Sequence, residues 1–167
     1  MDERTELVRT EENVFAGIVG AFLFSLAGGA LWYVLYQVGY LAGISGIVGV
    51  FAAVRGYSFF AKGQSVKGVV ISIVIAVLVL IIAWYLCLAT DVYNAYREWY
   101  EAGEIDYQLG FFESVAVSYT FFSETDILLA YLKDLGIGLA LCALASFSSV
   151  KNILKSTKQT TAEKNQE

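Results

Sequence analysis

The stretch FAGIVGAFLFSLAGGALWYVLYQVGYLAGISGIVGVFAAVRGYSFF, residues 15–60, decides how this chain is read. It holds two apolar segments, each carrying a stripe of small residues, joined by almost nothing. In the first, Gly17, Ala21, Ser25 and Gly28 recur at spacings of four, four and three. In the second, Ala42, Gly46, Gly49, Ala53 and Gly56 recur at four, three, four and three. Those spacings put each set on one helix face, where small side chains let two backbones approach closely inside lipid. The linker Gln37-Val38-Gly39 carries no charge, and Gly39 suits a left-handed helix cap. So short a connection makes the two helices antiparallel neighbours.

Composition agrees with lipid as the solvent. Of 167 residues, 57% are hydrophobic and 16% charged, against about 25% charged in soluble domains. The net charge of −5 points away from nucleic acid, whose partners present a basic face to phosphates. Histidine is absent, which removes the commonest general base and transition-metal ligand. Cys87 and Cys142 lie in apolar runs without a CxxC spacing, so neither a disulfide framework nor a zinc site is indicated. Proline is absent too, which points away from the Pro-broken helices common in large alternating-access transporters.

A helix needs about 20 apolar residues to cross the hydrocarbon core. Four stretches qualify as spans, about 14–36, 40–60, 66–89 and 135–154, and together they define a membrane domain over 13–154. Residues 1–12 are polar and acidic overall, and the apolar run behind them is long, so an uncleaved first span is expected rather than a secretory signal. The third run is Val/Ile/Leu-rich with little small-residue patterning, as suits a helix facing lipid. Helix-compatible residues continue beyond it toward a cap near Gly103. An outer segment covers 90–134. Within it, Leu109, Phe111, Phe112, Val115, Val117, Tyr119, Phe121 and Phe122 suit a short amphipathic helix. Their partial alternation also fits a strand, but a lone strand would have no partner. Ser123-x-x-Asp126 resembles an N-cap opening the last helix. Along that helix Gly138, Cys142, Ala145 and Ser149 make a third small stripe, so the second helix has two candidate partners. Residues 155–167 read as a disordered tail. The fold class expected is all-α, a four-helix transmembrane bundle with an outer amphipathic helix.

Orientation follows from counting. Four spans put both termini and the Lys62 turn on one side, with nine of the eleven cationic residues. The other side holds only Arg97 and Lys133, amid Asp91, Glu98, Glu101, Glu104, Asp106, Glu113, Glu124, Asp126 and Asp134. The positive-inside rule therefore predicts cytoplasmic termini in the plasma membrane. Trp32, Tyr33, Tyr36 and Tyr40, with Trp84, Tyr85 and Tyr93, gather at the outer helix ends, as interfacial anchors do.

Three charges are candidates for function. Arg55 lies inside the second span but about one and a half turns from its cytoplasmic end, within snorkelling reach of phosphates or of Glu11 or Glu12. Lys133 and Asp134 are adjacent, so on a helix they point about 100° apart and cannot face each other. They read as docking groups for the outer segment rather than a proton relay. Outer carboxylates could hold calcium, but the EF-hand spacing is missing and a solvated acidic face is the better reading. Arg97 and Glu101 read as a surface pair at i,i+4. No catalytic motif occurs, and no cofactor or metal site is expected.

Gly39-Tyr40-x-Ala42-Gly43-Ile44-x-Gly46, Arg55-Gly56-Tyr57, Lys67-Gly68-Val69, Lys133-Asp134-Leu135 and Ser146-Phe147 resemble an uncharacterised family of small four-helix integral membrane proteins of Gram-positive bacteria. The resemblance implies membrane placement and carries no activity. The function expected is a non-catalytic assembly or accessory component, packing through its small faces as a homo-oligomer or with another membrane protein. The alternative is a small-solute or ion transporter or channel subunit acting as an oligomer.

Overall fold

A computed structural model describes residues 12–39, 42–63, 65–123 and 125–164, which form five α-helices and no strand. The first, α1 (Val14–Gln37), starts at Asn13, whose side chain accepts the Ala16 amide at 3.0 Å. This cap satisfies one of the free amides of the first turn. The helix ends where Gly39 turns left-handed, φ +77°, and donates its amide to Tyr36 O at 2.9 Å. Glycine is suited to that turn because a Cβ is strained there.

A 3-10 turn (Ala42–Ile44) leads into α2 (Ser45–Ala61), an apolar helix of 17 residues, shorter than the 40–60 span expected. The 3-10 turn occupies Ala42–Ile44, so the regular helix starts at Ser45. Lys62 closes it in the left-handed region, φ 54°. Ser65 then caps α3 (Val66–Glu101) by accepting the Gly68 amide at 3.0 Å. The 36 residues of α3 rise about 54 Å, well beyond the 66–89 span, and end just before left-handed Gly103 as the sequence suggests.

The short α4 (Phe111–Val117) runs on as a 3-10 turn (Ser118–Ser123), and α5 (Thr125–Lys164) completes the chain. Within it, Tyr131–Lys151 is long and apolar enough to cross a membrane and overlaps the expected 135–154. The helix also continues to Lys164, through a tail read from the sequence as disordered. That tail holds neither Gly nor Pro, and extending an existing helix costs far less than starting one. The Ser123 cap falls beside Glu124, outside the described residues.

Helices α1, α3 and the apolar part of α5 are each long and apolar enough to cross a membrane. α2 packs against α1, α3 and α5, and α3 packs against all of the other three. The interior holds Ala21, Trp32, Val50, Ala53, Tyr57, Val69, Ala76, Leu80, Cys87 and Cys142. On α3, Val70, Val74, Leu78 and Ile82 recur every fourth residue and are all at least half exposed, an apolar stripe turned outward. A second small core of Leu88, Val92 and Leu109 seats α4 against the upper part of α3. Tyr85 donates to Val115 O at 2.7 Å and Tyr93 meets Phe111 edge-on, so α4 folds back along α3.

Candidate functional site

The small residues come together inside the chain. Gly17, Ala21, Ser25, Gly28, Gly46, Gly49, Ala53, Gly56, Gly138, Cys142 and Ala145 are all buried, while the Ala42 side chain lies outside those described. The stripe on α2 divides between two partners. Gly49 and Gly56 face α1: a Cβ at Gly28 would lie 2.9 Å from the Gly49 amide nitrogen and nearer still to its Cα. Gly46 faces α5, where a Cβ would meet Gly138 O at 2.8 Å, and the Cys142 thiol points at Gly46 O at 3.5 Å. Gly138 in turn lies beneath the Trp32 ring, 2.8 Å from Cη2 to an added Cβ.

Several close approaches were not singled out by spacing. Gly20 and Gly56 each face the other's carbonyl oxygen, and Gly29 leaves room for Val79. Gly20 and Gly29 lie off the stripe chosen for α1, so a one-face reading passes over them. Tyr57 also escapes it: its ring tip sits between Gly17 of α1 and Gly68 of α3, with Cζ 2.7 Å from a Cβ at either. The hydroxyl faces the Glu12 carboxylate without closing a hydrogen bond, while Glu12 accepts from Ser65 at 3.0 Å.

The polar feature that joins most elements stands at the opposite end and was read from sequence as part of a solvated acidic loop. Asp91 of α3 accepts a hydrogen bond from Tyr36 of α1 at 2.6 Å and another from Tyr131 of α5. Both phenols converge on Oδ2, so three helices meet at one carboxylate oxygen. The residue before it on α3, Thr90, gives its proton to Leu86 O at 2.8 Å, which leaves Tyr33 of α1 to donate to Thr90 at 3.3 Å. Trp84 donates to Tyr131 O at 2.9 Å and meets that ring edge-on. Two phenols on one oxygen make Oδ2 a polar tie shared by α1, α3 and α5.

No described cation pairs with Asp91. The nearest arginine along α3, Arg97, is about 9 Å further on and pairs with Glu101 at 3.5 Å. One turn below, the Trp32 indole N–H is fully buried without a hydrogen-bond partner among the described residues. The three charges singled out from sequence stand elsewhere. Arg55 and Lys133 are exposed and Asp134 is half-buried. None of them forms an ion pair among the described residues, and Glu12, offered as a partner for Arg55, is bonded to Ser65.

Outside the apolar segments, Glu113 accepts from the Tyr107 hydroxyl at 2.7 Å and the Gly110 amide at 2.9 Å. Those donors, the Tyr107 hydroxyl first, hold its carboxyl below the ordinary glutamate range, and the same bond raises Tyr107. The pair fastens the start of α4. Among the described residues no group of His, Cys, Asp and Glu side chains is arranged to hold a metal ion. What the Asp91 cluster does is tie three helices together at one carboxylate oxygen through two phenol hydroxyls.

No family model, curated protein or solved structure matches the chain.

Proposed function

We propose that the chain crosses the plasma membrane four times with both termini cytoplasmic, and acts there as a non-catalytic assembly or accessory component. The observation that carries this reading is the backbone-to-backbone closure of α1, α2 and α5 around Gly28, Gly49, Gly46 and Gly138. Small faces used in this way make a stiff unit whose outward surface is apolar, including Phe22, Phe51, Val74 and Phe147. Helix length supports the second span. The 17 residues of α2 rise about 26 Å and the 3-10 turn adds about 6 Å, close to the roughly 30 Å of hydrocarbon. The cationic excess on the side of the termini supports the orientation. Kinship with the Gram-positive membrane family belongs to the same proposal and rests on the quoted motifs.

Because α1, α2 and α5 spend their small faces on one another, assembly with a second copy or another membrane protein falls to the outer faces, such as Leu144 and Phe147 of α5. One observation favours the transporter or channel reading instead: the Asp91 carboxylate lies between three helices without a cationic partner. Intramembrane and interfacial carboxylates of that kind commonly mark ion paths. The test is purified full-length chain in liposomes, with ion and solute flux measured beside cross-linking in native membranes. A cross-linked oligomer or a reproducible membrane partner, without flux, is expected. Flux that Asp91→Asn abolishes would replace this reading with the transport one, and a strict monomer without flux or partner would refute both.

A further inference from the structure

On the half of the molecule nearer Glu12, α3 and α5 part and leave an open apolar groove of about 520 Å³. Its walls include Ile73 and Val77 of α3 and Leu139, Ala143, Phe147 and Val150 of α5. The one hydroxyl there, on Ser146, is already given to Cys142 O at 2.6 Å, so the wall suits a hydrocarbon chain rather than a polar ligand. Exposed cations follow on both flanking helices toward this end. Exposed Lys151 directly follows Val150, and exposed Lys67 lies six residues before Ile73, about 9 Å along α3. Lys62 and Arg55 are exposed at the same end of α2. Among the side chains described at this end, the sole carboxylate is Glu12, which is bonded to Ser65.

An apolar slot leading to a cationic rim complements an amphiphile with an anionic head. We propose that the α3–α5 groove binds an anionic phospholipid of the bilayer, with an acyl chain along Ile73, Val77 and Ala143 and the phosphate held by Lys67 and Lys151. The inference rests on the membrane reading above. Lysine stems reach along apolar surface to place their ammonium groups at phosphate level. Basic pockets between membrane helices recognise anionic headgroups for the same reason. A second copy of the chain could fill the slot, but its apolar helices would leave the cations without a role.

The test uses purified full-length protein in detergent, offered phosphatidylglycerol or phosphatidylcholine with matched acyl chains, and native mass spectrometry to read the lipid retained. Phosphatidylglycerol should be held in preference. Its affinity should fall about fivefold for Lys67→Gln or Lys151→Gln and about thirtyfold for the pair, with phosphatidylcholine unaffected. Ala143→Phe should displace both lipids while leaving helicity intact. Equal retention of the two lipids by the native chain would overturn the proposal, as would unchanged retention in the lysine pair or a lipid-free dimer with the groove covered. If Ala143→Phe loses its helicity, the two exposed lysines still carry the test. Failure here leaves the flux and cross-linking results untouched, so the two readings fail separately.

Discussion

Gly28 and Gly49 face each other across α1 and α2, yet the structure makes them unequal. A Cβ on Gly28 would point at backbone, 2.9 Å from the Gly49 amide nitrogen and closer to Cα, where neither helix has a side chain to move aside. Ordinary carbon contacts lie at about 3.5–4.0 Å, so Gly28→Ala forces the helices apart by roughly 1 Å. A Cβ on Gly49 would sit 3.6 Å from the Gly28 Cα, an ordinary contact. Overpacking costs about 1–3 kcal/mol, and replacing a helical glycine by alanine returns up to about 1 kcal/mol. Gly28→Ala should therefore destabilise by about 1–2 kcal/mol, while Gly49→Ala should be neutral or stabilising by up to about 1 kcal/mol. Reversible unfolding by SDS in mixed micelles, followed by helicity or by energy transfer between labels on α1 and α2, measures both. Equal losses, or a larger loss for Gly49→Ala, would refute the packing argument.

Three further outcomes follow from named contacts. Tyr36→Phe removes one of the two phenols on Asp91 and should cost about 1–2 kcal/mol in the same assay; no change would mean that the bond contributes nothing. The Tyr36→Phe and Tyr131→Phe losses should not add, because both hydroxyls share Oδ2. The carboxyl of Glu113 is depressed in the folded chain, so its contribution is complete above the ordinary glutamate pKa and is lost as pH falls through the lowered folded value. Amide exchange in α4 should rise across that acidic window, and Glu113→Gln should remove the pH dependence; an unaltered profile would separate the titration from α4. For topology, both native cysteines are buried and should resist an impermeant maleimide. Lys62→Cys should label only after the membrane is opened, and Glu104→Cys in intact cells; the reverse pattern would invert the orientation.

Helix positions were largely legible because their causes are local. Gly39, Ser65 and Gly103 mark helix ends through backbone geometry that a residue carries in any context. The small stripes are a matter of spacing, which assigns a face to each set. What spacing cannot express is which neighbour a face meets, so the split of α2 between Gly49 toward α1 and Gly46 toward α5 appears only when the helices are assembled. Asp91 was misread on similar grounds. Its sequence neighbours continue toward a charged loop, whereas its donors, Tyr36 and Tyr131, are 55 and 40 residues away. The helical tail shows the opposite limit: polarity argued for disorder, but a helix already formed extends through Lys164.

The seat of the Tyr57 ring bears on the order in which the chain is built. On the proposed four-span topology, when α1 and α2 have entered the bilayer and α3 has not, Gly17 covers one edge of the ring and the edge later met by Gly68 is bare. On that topology the first hairpin would be an unfinished intermediate, with one edge of the phenol uncovered until the third helix arrives. Nascent chains stopped before Val66 should then be more readily captured by membrane chaperones and proteases than chains that include α3. A tyrosine held between two glycines would, on that topology, distinguish half a protein from a completed one.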